Sequence, residues 1–81
     1  MNQNSYYWSV IVQIISDWTG YTPDEAHEML KWKFLRKEEA GKPPTVRSTS
    51  DLTTAEAEEY YESIRRWAGS EGVRIPMPNE I

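Results

Sequence analysis

The chain has 81 residues, a net charge of −4, no cysteine, and four Trp, five Tyr and one Phe. That length makes a single domain with a thin stability margin, so aromatic packing has to supply the core that disulfides or thiolate-bound metal cannot. The acidic balance weighs against nonspecific nucleic-acid binding, and no apolar run is long enough to span a membrane or follows a basic leader.

The first helix is expected over residues 5–18. Tyr7, Trp8, Val10, Ile11, Val12, Ile14, Ile15 and Trp18 cover more than half of a helical wheel, leaving Tyr6, Ser9, Gln13, Ser16 and Asp17 as a polar stripe. An apolar arc that wide implies burial on more than one side, within the domain or against another copy or a further domain. Gly20 is placed to cap the C-terminus in the left-handed region.

Thr22-Pro23-Asp24-Glu25 opens a second helix, residues 23–36. Thr22 caps, Pro23 suits the first position and Glu25 completes a capping box. Its core face is Ala26, Met29, Leu30 and Phe34, and Lys33 on that face argues for an end nearby. A loop over 37–52 follows, marked by Gly41, Pro43 and Pro44, with a short extended segment at Thr45–Ser48. Thr53 and Glu56 form another capping box, opening a helix over 54–71 with Ala57, Tyr60, Tyr61, Ile64, Trp67 and Ala68 at helical spacing. Glu62 and Arg66 are an i,i+4 pair. Gly72 and Val73 read as a Schellman ending, and Pro76 and Pro78 send the tail, 73–81, extended across the core. The expected fold is all-α: three helices and a proline-bearing tail in one domain, 1–81.

No catalytic constellation is present. His27 lacks the second histidine of a zinc-binding helix and reads as a surface residue, and no metal or cofactor site is expected. Glu56, Glu58, Glu59 and Glu62 read as a solvated helix face. Ser48, Thr49 and Ser50 suit capping and turns better than nucleophilic chemistry.

Charge is unevenly spread. Residues 31–49 carry Lys31, Lys33, Arg36, Lys37, Lys42 and Arg47 against Glu38 and Glu39, while the rest carries Arg65, Arg66 and Arg74 against eleven acids. Within this basic stretch, Lys31-Trp32-Lys33-Phe34-Leu35-Arg36-Lys37 alternates cations and rings. Single-stranded nucleic acid is held by such a mix, cations following the backbone and rings stacking on bases. Its bland reading is core Phe34 and Leu35 beside solvated cations that suit a helix C-terminus. Trp32 falls off the core face. The candidate nucleic-acid contacts are Lys31, Trp32, Lys33, Arg36, Lys37, Lys42 and Arg47.

Two boxes bracket the chain: Gln3-Asn4 running into Tyr6-Tyr7-Trp8, and Ser48-Thr49-Ser50 leading to the helix Glu56 to Ala68. With the Gly72-Val73 exit and proline-bearing tail, they make the chain resemble the C-terminal helical part of the phage NinB (lambda Orf-like) recombination proteins. The resemblance covers about Gln3 to Pro78. It implies a non-enzymatic recombination helper that binds single-stranded DNA, assists or replaces host recombinase mediators, can dimerise and can touch the host single-strand-binding protein. Family members carry a strand-bearing domain ahead of the Gln-Asn box, whereas only Met1 and Asn2 precede it here. A host-cytoplasmic location follows from a phage origin. The rival expectation is a small acidic phage module that binds or inhibits a host nucleic-acid enzyme. It would use Glu58, Glu59 and Glu62 with Glu25 and Glu28 as one carboxylate face.

Overall fold

The computed structural model describes residues 2–80; Met1 and Ile81, the two ends of the expected domain, lie outside the described residues. Helix α1 runs in three contiguous pieces: α-helical Gln3–Tyr6, π-helical Tyr7–Val12 and α-helical Gln13–Thr19. It starts earlier than residue 5 because the Asn2 side chain accepts from the Ser5 amide at 2.8 Å and caps the first turn. Helix α2 is Pro23–Phe34 and α3 is Thr54–Ser70. Both capping boxes form, with Thr22 and Glu25 at 3.2 and 2.9 Å and Thr53 and Glu56 at 3.1 and 2.9 Å.

The π stretch changes which residues face inward. Its wider i→i+5 turns rotate side chains away from the 3.6-residue wheel. Tyr6 and Ser16, expected on the polar stripe, are therefore buried, while Trp18, expected in the apolar arc, is 40% exposed. Tyr6 donates to the Pro76 carbonyl at 2.7 Å and accepts from Arg65 at 3.0 Å. Ser16 Oγ donates to the Tyr21 carbonyl at 2.6 Å.

The second helix stops at Phe34, short of residue 36. Leu35 leaves helical geometry and its carbonyl accepts from the Arg47 amide at 3.3 Å. Arg36–Lys37 is instead strand β1, antiparallel to β2, Thr45–Val46, in the register Arg36 to Val46 and Lys37 to Thr45. The extended segment expected near Thr45 is thus one arm of a minimal hairpin. A 3₁₀ turn, Thr49–Asp51, with the Ser48 side chain accepting from the Ser50 amide, leads to α3.

The core sits between the three helices. Ile11, Val12 and Ile15 of α1 meet Ala26 and Leu30 of α2 and Ala57, Ile64 and Ala68 of α3, all buried. Four tyrosines extend it. Tyr7 stacks on Tyr61 with centroids 5.5 Å apart, and Tyr6 meets Tyr61 edge-on at 5.8 Å. Such pairs add about 0.5–1.5 kcal/mol each beyond area burial. Gly20 (φ +81°) and Gly72 (φ +83°) close α1 and α3 in a region that strains residues bearing a Cβ. At the second site Val73 N–H reaches the Ala68 carbonyl and Gly72 N–H that of Gly69, the two bonds of a Schellman motif. The tail then buries Ile75 and ends in a 3₁₀ turn, Pro78–Glu80. The molecule is a small all-α domain with one short two-stranded element. None of its helices among the described residues is long and apolar enough to cross a membrane.

Candidate nucleic-acid interface

The end of α1 carries a tightly held turn. Thr19 Oγ1 donates to the Ile15 carbonyl at 2.7 Å and accepts from the Tyr21 amide at 3.3 Å, while Ser16 holds the Tyr21 carbonyl. These bonds set Trp18 and Tyr21 on one side of the chain reversal. On α2, Met29, Trp32 and Lys33 share a face by their i,i+3 and i,i+4 spacing, and Arg36 follows just past the helix end. Trp67 of α3 completes the lining of a groove of about 550 Å³ bounded by these residues.

Its walls are aromatic and its rim cationic. Trp18 lies 5.3 Å from Trp67, and Phe34 meets Trp67 edge-on at 5.9 Å. Lys33 Nζ stands 5.0 Å from the Trp67 centroid and 5.8 Å from that of Phe34. The Arg36 guanidinium lies over Trp32 at 4.6 Å. Trp18, Tyr21 and Trp32 are 40%, 47% and 48% exposed. Rings this large, left open beside cations, depart from the usual pattern of buried aromatics.

Of the seven candidate contacts read from sequence, Trp32, Lys33 and Arg36 enter the groove and the other four do not line it. Five of the six candidate cations carry a carboxylate partner. Lys31 pairs with Glu28 at 3.2 Å, Arg36 with Glu38 at 3.1 Å, Lys37 and Lys42 both with Glu39, and Arg47 with Glu56 at 2.6 Å. Lys33 alone of the candidate cations has no carboxylate within ion-pair distance among the described residues. Most of these pairs are exposed and worth little individually. They still reduce the basic segment from an open cationic run to a set of locally neutralised contacts. The Arg47 pair is the most structured: two guanidinium nitrogens reach Glu56, which also serves the α3 capping box. Arg47 and the Thr53 cap hold the Glu56 carboxyl down at about 2.

Trp18, Tyr21 and Trp67 are absent from the sequence-derived set because helical spacing assigns Trp18 and Trp67 to core arcs. The available signal was position: Trp18 and Tyr21 flank Gly20, where a helix end leaves room for partial exposure.

The carboxylates are individually engaged. Glu58 accepts from Gln3 at 2.9 Å, Glu62 pairs with Arg66 at 2.9 Å, Glu25 caps α2 and Glu28 pairs with Lys31. Glu59 lines a separate cleft beside Arg47 and Leu35. Among the described residues no group of three or more His, Asp or Glu side chains gathers in metal-binding geometry.

His27, expected at the surface, is half-buried. Its Nδ1 shares a 2.7 Å hydrogen bond with Tyr7 Oη, which in turn shares one of 2.9 Å with Tyr60, and the Trp8 ring lies 4.5 Å away. The π-helical turn puts Tyr7 beneath α2, and the ring of His27 follows it inward. Burial, then Lys31, lowers the His27 pKa from its ordinary 6.5. Burial also raises the Tyr7 and Tyr60 phenols, so both stay protonated as donors. The two sequence boxes meet in space: Gln3 and Asn4 line a small cleft with Thr49 and Ser50, over Tyr7 and Tyr61.

No family model, curated protein or solved structure matches the chain.

Proposed function

We propose that this domain is a non-enzymatic accessory of phage recombination that handles single-stranded DNA through the groove between α1, α2 and α3. The observation that carries the reading is the convergence of Trp18, Tyr21, Trp32 and Trp67 with Lys33 and Arg36 in one open groove. Rings that can stack on bases beside cations that can meet phosphates are the chemistry of sequence-tolerant single-strand binding. The motif resemblance to NinB-like proteins agrees with it in kind. It adds the host single-strand-binding protein and a second copy of the chain as further partners, in the host cytoplasm.

The test is fluorescence anisotropy of a labelled single-stranded oligonucleotide titrated with the protein at low and moderate salt. Binding that weakens with salt is expected, because cations replace counterions on phosphates. The net charge of −4 favours one other reading, an acidic module directed at a host nucleic-acid enzyme. That reading requires no oligonucleotide binding at any salt and a salt-sensitive protein partner instead.

A further inference from the structure

We infer that the groove is a stacking slot for an unpaired nucleobase, with recognition carried by tryptophan rings more than by the basic segment; this rests on the single-strand reading above. Charge is the first argument. Five of the six cations from Lys31 to Arg47 already face a carboxylate, and the whole chain is acidic. A phosphate approaching them displaces an existing pair and gains little. The rings also have partners, Arg36 over Trp32 and both Trp18 and Lys33 against Trp67, yet Trp18, Tyr21 and Trp32 keep nearly half of their surface open. Stacking on one base contributes about 5- to 150-fold in affinity.

Geometry is the second argument. Trp18 and Trp32 are supplied by different helices and are both about half open, while Trp67 is half-buried and carries Trp18 and Lys33 against its ring. A volume near 550 Å³ lies within the usual ~300–1,000 Å³ range of small-molecule pockets. It suits one or two flat rings, and a duplex cannot present its base faces to it. Lys33, unpaired among the described residues, lines the groove where a flanking phosphate would lie, and Arg36 beside it is already engaged by Glu38. Proline-rich peptides also dock in aromatic grooves. The unpaired Lys33 on the rim favours the anionic strand.

Tryptophan emission reports on the slot directly. Three of the four tryptophans line the groove, and Trp8 packs on His27 instead. The full chain is titrated with an oligothymidylate, with an abasic backbone of equal length, with a blunt duplex and with an acidic proline-rich peptide. Quenching by the oligothymidylate is expected, with the abasic strand and the duplex at least about tenfold weaker. Trp32→Ala weakens binding about 5- to 150-fold, and Trp32→Phe, which keeps a ring, retains most of it. Because Trp32 is half-exposed, both variants keep the parent's thermal melt, which checks folding. Equal affinity for oligothymidylate and abasic strand overturns the slot while leaving nucleic-acid binding intact. No binding of any strand at low salt overturns both readings, as does quenching only by an acidic proline-rich peptide.

Discussion

Tyr7 of α1 and His27 of α2 share a 2.7 Å hydrogen bond at the point where the π-helical turn meets the second helix. In the neutral Nε2–H tautomer, Tyr7 donates to Nδ1 and accepts from Tyr60, so the three-residue chain is satisfied without a charge. Asp24, Glu28 and Lys31 surround the ring from its own helix, Tyr7 and Trp8 face it from α1, and Tyr60 of α3 is linked to it through Tyr7.

This arrangement makes stability acid-sensitive. The folded pKa of His27 lies below its unfolded 6.5, so the unfolded chain binds the proton first as pH falls. The contribution is complete above about pH 6.5 and is lost on descending through the lower folded value. Thermal melts at pH 7 and pH 5 are expected to show a fall in Tm that is smaller in His27→Gln. An equal fall in both proteins would place the acid sensitivity elsewhere.

The Arg47–Glu56 pair predicts a second titration. Glu56 sits at about 2 against an ordinary 4.5, so its share of stability holds above pH 4.5 and is lost towards pH 2. Arg47→Ala removes the largest cause and moves the carboxyl up towards its ordinary value, as followed by side-chain NMR of Glu56. It remains somewhat low, because the Thr53 cap persists.

Core truncations rank by burial. Ile64→Ala and Leu30→Ala, both at fully buried positions, each cost about 2–5 kcal/mol by denaturant unfolding. For 81 residues that is a large fraction of a margin of about 4–12 kcal/mol, at about 0.05–0.15 kcal/mol per residue. Met77→Ala, at an exposed position of the tail, stays within about 0.5 kcal/mol.

Caps are separable from the core. Thr53→Ala loses the side-chain acceptor for the Glu56 amide and costs about 1 kcal/mol. Thr53→Ser restores the oxygen and most of the stability. A loss as large with Ser as with Ala would assign the effect to packing of the threonine methyl.

Among the cations, Lys33 and Lys31 divide the proposed interface. Lys33→Gln lowers the salt slope of oligonucleotide binding by about 0.7, the value for one phosphate contact on a single strand. Lys31→Gln leaves it unchanged, since that side chain is only 17% exposed, pairs with Glu28 and lies off the groove. Equal effects of the two would return the contact to the basic segment as a whole.

Local chemistry was legible wherever short-range geometry decides structure. The two capping boxes, the Gly20 and Gly72 endings, the Glu62–Arg66 pair and the inward faces of α2 and α3 all follow from residues within five positions of one another. The helix over Tyr7–Val12 was legible as a helix, but not as a π-helix. Nothing in its residue pattern separates i→i+4 from i→i+5 closure, and the slip reassigns Tyr6, Ser16 and Trp18. The stop at Phe34 was missed by two residues because the carbonyl of Leu35 is claimed by Arg47, a partner beyond the loop.

For the candidate site, residue types spoke and their grouping did not. Trp32, Lys33 and Arg36 stand close in the chain and announce themselves as cation and ring. That Trp18, Tyr21 and Trp67 join them, and that Lys31, Lys37, Lys42 and Arg47 do not, depends on how three helices converge and which carboxylates come within reach of each cation. Hydrophobic periodicity and capping act over one or two turns, so they specify the helices from the chain alone. The ion pairs of the basic segment join residues within nine positions of one another. The groove and the Tyr7–His27–Tyr60 chain, in contrast, are contacts between elements far apart in sequence, and only packing in three dimensions selects them.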